Sequence, residues 1–280
     1  MIKAILIPTD FSEISGYARD LAIKVAQKTN AALHLLHVIQ LPSHILKTKN
    51  GELLDDGEMD VSEFIKRREE AIKRFETWVF DQQLKVIPIV RFGHVNDETV
   101  KYSESEAIDL IVMATHGASG MKELISGSHG EYVAMNSSVP VLTLKCERSE
   151  IAFKSMMLAS SFLEDDIPHC ERLLELQKVF DAELHLVRIN TASRFLSDDE
   201  ARKHMKAFAE KHSIKNVVFK IHNADDLEEG VIQYAAANDI ELIAIGSMQR
   251  GGLSKIINGC VSADLVNHVY KPLLTFKLKD

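Results

Sequence analysis

The chain has 280 residues, 46% of them hydrophobic, which suits two ordinary globular cores rather than a disordered or fibrous chain. Its net charge of −8, with no run of Lys and Arg, argues against a nucleic-acid or anionic-membrane surface. No apolar stretch approaches a membrane span, and Met1 to Ile7 reads as a first strand, not a secretory leader. Three widely spaced cysteines, Cys146, Cys170 and Cys260, suit a reducing, cytoplasmic setting and form neither a disulfide framework nor a metal cluster.

In chain order the apolar pattern predicts strands alternating with helices. Ile2 to Pro8 is a buried strand. Ser12 caps a helix whose apolar face is Ile14, Ala18, Leu21, Ala22 and Val25. Ala32 to Ile39 is a second strand. Leu41 to Val61, rich in Gly, Asp, Lys and Glu, reads as a long loop or mobile lid. Phe64, Arg68, Ala71, Ile72, Phe75 and Val79, with Trp78 beside them, mark a long helix. Leu84 to Arg91 is the third strand, Asn96 to Glu106 the third helix and Leu110 to Met113 a fourth strand buried on both faces. Ser128 to Met135 is a fourth helix with Ser128 as its N-cap, and Val139 to Leu144 a fifth strand.

The second half repeats the first. Ala31-Ala-Leu-His34-Leu-Leu-His-Val is matched by Ala182-Glu-Leu-His185-Leu-Val-Arg-Ile, 151 residues later. Ile108-Asp-Leu-Ile-Val-Met-Ala114 is matched by Ile240-Glu-Leu-Ile-Ala-Ile-Gly246, and Val139-Pro140-Val-Leu-Thr-Leu-Lys145 by Lys271-Pro272-Leu-Leu-Thr-Phe-Lys277, both 132 residues later. The offset shrinks by 19, so the first copy carries extra residues between these anchors, which points to the Leu41 to Val61 segment. The expected fold is α/β: two tandem doubly wound domains, residues 1–146 and 151–280. Each is a five-stranded, mainly parallel sheet with helices on both faces, and the two are joined by the polar seam Lys145 to Glu150.

Ligands in such sheets bind beyond the carboxyl ends of the strands. The tips are Pro8-Thr9-Asp10 after the first strand, Val38 and Ile39 at the end of the second, and Met113-Ala114 after the fourth. The fourth strand breaks into a small turn, Ala114 to Gly120, and Gly127-Ser128 opens a helix. A strand feeding a glycine-bearing loop that ends at a helix N-terminus offers free N–H groups and the positive end of a helix dipole to a phosphate.

The spacing is more informative than the glycines. Ala114-x-x-Gly117, nine residues, then Gly127-Ser128 resembles the nucleotide motif of the universal stress protein family, Gly-x-x-Gly, nine residues, Gly-Ser/Thr. Asn136-Ser-Ser-Val-Pro140-Val-Leu-Thr-Leu also resembles that family's last turn and strand. Ala114 departs from the motif's first glycine, and its methyl hinders close backbone approach. The resemblance implies ATP, or AMP or ADP, held in the first copy, with Mg or Mn bridging the phosphates. It places Asp10, with Pro8 and Thr9, at the adenine or ribose end, Val38 and Met113 near the base, and Ala114, Gly117, Gly127 and Ser128 at the phosphates. His116, His129 and Gly130 flank the loop, although His129-Gly130 is not the apolar-small pair expected there. The resemblance further implies that the last strands, Val139 to Leu144 and Leu273 to Leu278, lie at sheet edges and pair, within the chain or in a homodimer.

The residues of Asp10 and Val38 also read without a ligand: Asp10 as a turn or cap residue beside Ser12, Val38 as plain core. In the second copy Ser161 falls at the place of Asp10, Gln249 at Gly117 and Gly259-Cys260 at Gly127-Ser128, so its nucleotide motif is degenerate. An adenylate-cleaving enzyme needs a positioned base and a cationic stabiliser. Lys122 is the loop's only cation and no P-loop pattern occurs, so at most slow ATP hydrolysis is expected. The remaining reading is a ligand-free interaction scaffold.

Overall fold

The computed structural model describes residues 1–42, 47–54, 61–79, 83–114, 129–144, 152–163, 170–247 and 271–277. The first repeat supplies β1 (Ala4–Pro8), α1 (Glu13–Thr29), β2 (Ala32–Ile39), α2 (Ser62–Trp78), β3 (Val86–Phe92), α3 (Val95–Ser105), β4 (Leu110–Ala114), α4 (His129–Asn136) and β5 (Val141–Leu144). The second supplies β6 (Ser155–Ala159), α5 (Cys170–Phe180), β7 (Glu183–Asn190), α6 (Asp198–Lys211), β8 (Val217–Asn223), α7 (Leu227–Ala237), β9 (Leu242–Ser247) and β10 (Leu273–Lys277). The strands form one ten-stranded sheet in the order β3-β2-β1-β4-β5-β10-β9-β6-β7-β8.

Every neighbouring pair is parallel except β5 with β10. At that antiparallel seam Leu142 faces Leu274, its own counterpart 132 residues later. The Thr143 hydroxyl donates to Leu273 O and the Thr275 hydroxyl to Val141 O, each at 3.3 Å. The two bonds are related by the repeat, so a local two-fold axis passes through the Leu142–Leu274 pair.

Strand alternation sorts the core into two layers. Ile5, Ile7, Leu33, Leu35, Leu110 and Val112 pack with α1, α2, α5 and α6 on one face. Leu6, Leu36, Ile111 and Met113 pack with α3, α4 and α7 on the other. α1 begins where its cap predicts: the Ser12 side chain accepts from Ser15 N. Helix α2 buries a narrower stripe than its pattern suggests. Ala71 and Phe75 are buried but Ile72 is 40% exposed, on the side of α2 away from β2 and β3.

The duplication extends to backbone and side-chain detail. Three pairs of non-glycine residues with left-handed φ recur at the repeat offsets: Phe11 and Phe162 (63° and 53°), Asn30 and Asp181 (58° and 51°), Ala107 and Asp239 (48° and 50°). His34 Nδ1 bonds the Tyr102 hydroxyl at 2.8 Å, and His185 Nδ1 bonds the Tyr234 hydroxyl at 2.7 Å. Burial pushes both phenols up to about 12, so each stays protonated beside its imidazole.

Asp109, at the start of β4, fastens the amino end of β1. Its Oδ2 accepts from Lys3 N and Ala4 N at 2.7 and 3.1 Å, while Oδ1 takes the guanidinium of Arg172 on α5. Both partners of that ion pair are mostly buried, at 14% and 16% exposure. Asp109→Ala removes two backbone contacts and leaves Arg172 only the 3.9 Å contact to Glu171, so a loss of about 2–3 kcal/mol is expected in urea unfolding of the full chain. An unchanged midpoint would show that water replaces the carboxylate at no cost.

Candidate functional site

The site follows from strand register. β1 lies between β2 and β4, with Pro8 opposite Leu36 and Ile5 opposite Leu110. Continuing both registers sets Thr9, His37 and Ala114 level with one another. The chain winds from β1 through β2 to β3 on one side, then returns to β4 and β5 on the other. The gap beyond β1 and β4 is therefore the switch point of the first five strands, where crossovers diverge and leave a crevice. β2 runs on past β1 while still paired with β3, which carries Val38 opposite Arg91. Val38 thus stands half-buried on a ledge beside Thr9 and Asp10, leaning on the same core layer as Met113.

The turn after β1 is held by its own side chains. Thr9 Oγ1 accepts from Phe11 N at 2.8 Å and lies 3.0 Å from Ser15 Oγ. Asp10 Oδ1 accepts from Ser12 N at 2.8 Å. Partial burial raises the Asp10 pKa, but the hydrogen bonds from Ser12 and Ser15 outweigh it and leave the carboxyl below its usual value. Asp10 is therefore an exposed carboxylate, held below its usual pKa by the Ser12 and Ser15 side of the turn. The turn-residue reading of Asp10 is met by the bond from Ser12 N, and its exposure leaves the ligand reading open.

Two neighbours were not singled out by the sequence reading. Phe11 takes the left-handed conformation, and its ring packs 4.9 Å from those of His37 and Phe75, with the Arg74 guanidinium 4.3 Å above it. His37 Nδ1 donates to Thr9 O at 2.8 Å and so clamps the tip of β1 to β2. Burial, the largest influence, lowers the His37 pKa and the charge of Arg74 adds to it, against the bond to Thr9 O. The repeat carried a signal for Phe11, because Phe162 follows β6 at the equivalent place.

Met113 is buried beneath the crevice and Ala114 is half-buried at its floor. His129 opens α4 and is exposed, with Nδ1 2.6 Å from Asn96 Oδ1 of α3. Gly130 is buried in the same turn. His129 and Gly130 thus serve the α3–α4 contact, together with the bond from the Tyr132 hydroxyl to Asp97 at 3.1 Å. His116, Gly117, Lys122, Gly127 and Ser128 lie outside the described residues, as do Gln249, Gly259 and Cys260 of the second copy. Among the described residues no group of three or more His, Cys, Asp or Glu side chains could hold a metal ion.

Over residues 47–54 the Leu41 to Val61 segment is a loop of turns with one isolated bridge and fixed anchors. Lys47 bridges Leu53 in an antiparallel turn, Gly51 O accepts from Phe92 N at 2.6 Å, and Lys47 Nζ pairs with the buried Glu98 of α3. A buried carboxylate must find a cation. Glu98 thereby ties this strap to α3, and the Phe92 N–Gly51 O bond ties it to the end of β3, which composition alone does not reveal.

The tip of the second unit copies the first. Ser160 Oγ accepts from Phe162 N at 3.2 Å and Ser161 Oγ from Leu163 N at 3.4 Å, repeating the bonds of Thr9 and Asp10. The backbone form is kept while the carboxylate is not.

This architecture is that of a duplicated, doubly wound α/β protein with a crevice at its strand tips. The universal stress protein family model matches residues 1–145 and again 153–277, and the chain belongs to that family. It is 34% identical to universal stress protein MJ0577 of Methanocaldococcus jannaschii, over 53% of this chain and 98% of that one. It is 30% identical to universal stress protein MJ0531 of the same organism, over 54% and 86%. A universal stress protein structure from Archaeoglobus fulgidus matches over 99% of this chain and 97% of its own with a TM-score of 0.72. At 21% identity that likeness concerns the fold.

Burial lowers the pKa of both His34 and His37, so the folded chain binds fewer protons there than the unfolded one. Stability from these groups is full above about pH 6.5 and is lost as pH falls through that value. His37→Asn keeps a donor for Thr9 O without the titration. Urea midpoints at pH 8 and 5.5 should then fall less for the variant than for the wild type; equal falls would remove His37 from this account.

Proposed function

We propose that the chain is a stress-response regulator that holds one adenine nucleotide, ATP or its di- or monophosphate, in the first of two domains, residues 1–146. The second domain, 151–280, carries a degenerate nucleotide motif. The observation that supports this is the row of Thr9, Asp10, Val38 and Ala114 at the switch point, in a family member whose next residues carry Gly117 and Gly127-Ser128. Val38 and Met113 supply the apolar side for the base, and the Asp10 turn its polar edge. The amides around Gly127 and the Ser128 hydroxyl serve the phosphates. A Mg or Mn ion would be held chiefly by those phosphates, since the described side chains around the crevice do not gather into a ligand set.

The protein works in the cytoplasm on this reading, as a binding module rather than an efficient enzyme. The two domains act as a unit through their last strands, and further association into a homodimer is compatible with it. A ligand-free scaffold is the alternative, motivated by the methyl of Ala114 where the motif has glycine.

Mass spectrometry of small molecules released by denaturing the purified chain should find ATP, ADP or AMP at one per chain. Calorimetric titration with ATP and Mg should saturate at the same ratio, and Gly127→Asp should abolish both through charge and bulk against the phosphates. No released nucleotide and no heat at millimolar ATP would favour the scaffold. Phosphate release well above background, lost in Lys122→Ala, would instead establish an enzyme.

A further inference from the structure

The second unit has a cleft of its own at the tips of β6, β7 and β9. It is a shallow cleft lined by apolar Ala159, Ile189, Leu227, Val231 and Ile245 and by polar Ser160, Ser161, Arg188 and Arg194. Ala159, Ser160, Ser161, Ile189 and Ile245 are the repeat counterparts of Pro8, Thr9, Asp10, Val38 and Met113. The cleft therefore occupies the place of the first unit's crevice, with two exchanges at its polar end. Ser161 stands where the first unit has the carboxylate of Asp10, and Arg188 where it has His37.

Arg188 is only 4% exposed. Its Nε donates to Asn190 Oδ1 at 3.0 Å, Nη1 to Ser161 O at 2.6 Å and Nη2 to Arg194 O at 3.0 Å. These are neutral acceptors. They use three of the five N–H groups of a guanidinium and leave its charge without an ion-pair partner among the described residues. A cation so buried is costly unless an anion meets it. Burial, with the Arg194 charge, also lowers the Arg188 pKa, but arginine stays charged at any ordinary pH, so the need cannot be met by losing a proton.

We propose that this cleft binds a small oxyanion, a phosphate or carboxylate group carried on an apolar body, with the head at Arg188 and Ser160–Ser161 and the body on Ile189, Val231 and Ile245. The second unit is then a sensor of a different ligand class from the first, not an idle copy. Asp10 in the first unit would repel such a head; Ser161 and Arg188 attract it. The proposal is independent of nucleotide binding in the first unit.

The test uses the full chain and two probes, inorganic phosphate and butyrate, titrated by calorimetry at constant ionic strength. Saturable binding of either that persists in Gly127→Asp supports the proposal, and the one that binds identifies the head group. The decisive variant is Ser161→Asp. Asp10 shows that aspartate fits this turn, accepting the same backbone N–H, so the variant keeps the fold and sets a carboxylate beside Arg188. It should weaken the probe at least ~10-fold, the scale of one charge-assisted contact, while Gly127→Asp leaves it unchanged. No binding of either probe, or binding that survives Ser161→Asp, or binding lost in Gly127→Asp, would overturn it.

Discussion

Parallel pairing is the constraint from which the rest of this molecule follows. Strands that run the same way must be joined by crossovers, so all their carboxyl ends open onto one edge of the sheet. At the centre of that edge β1 stops while β2 continues, and the unpaired backbone groups there need partners. The chain supplies them from short polar side chains. Thr9 and Asp10 satisfy the turn, and His37 crosses from β2 to hold the last carbonyl of the tip. The stiff turn that results presents a carboxylate and an apolar ledge side by side. Rigidity comes from local hydrogen bonds, and exposure comes from the step between adjacent strand lengths.

Much of the fold was legible because its signals are local. Strand and helix alternation, the Ser12 cap and the three duplicated anchors each sit within a few residues of sequence. The elements of the structure fall within a few residues of their expected spans. The candidate residues at the tips were legible for the same reason, since a strand end is also a position in the pattern. What escaped was long-range. Nothing near Glu98 announces Lys47 as its partner, and nothing near Arg188 announces burial against Ser161 O and Arg194 O. Such contacts depend on which loop folds over which strand end, and register settles that only after the sheet has formed.

The two copies diverge unevenly. The His–Tyr pairs, the left-handed backbone at three junctions and the hydroxyl-bonded turns recur in both. These features satisfy buried polar groups or close turns, so a change costs stability whatever the ligand. At the open ends of the strands the side chains differ: carboxylate against hydroxyl, imidazole against guanidinium. There the fold tolerates any group that completes the turn, and the charge can follow the ligand.

The local two-fold axis at Leu142 and Leu274 gives this freedom its reach. In an assembly of two identical subunits, every substitution appears on both sides of the axis, and a residue that suits one pocket is imposed on the other. Here the axis relates two stretches of a single polypeptide that are encoded separately. Each face can be tuned without cost to its twin, and the paired sheet becomes a frame with two dissimilar strand-tip surfaces, held at a fixed ratio that dilution does not alter.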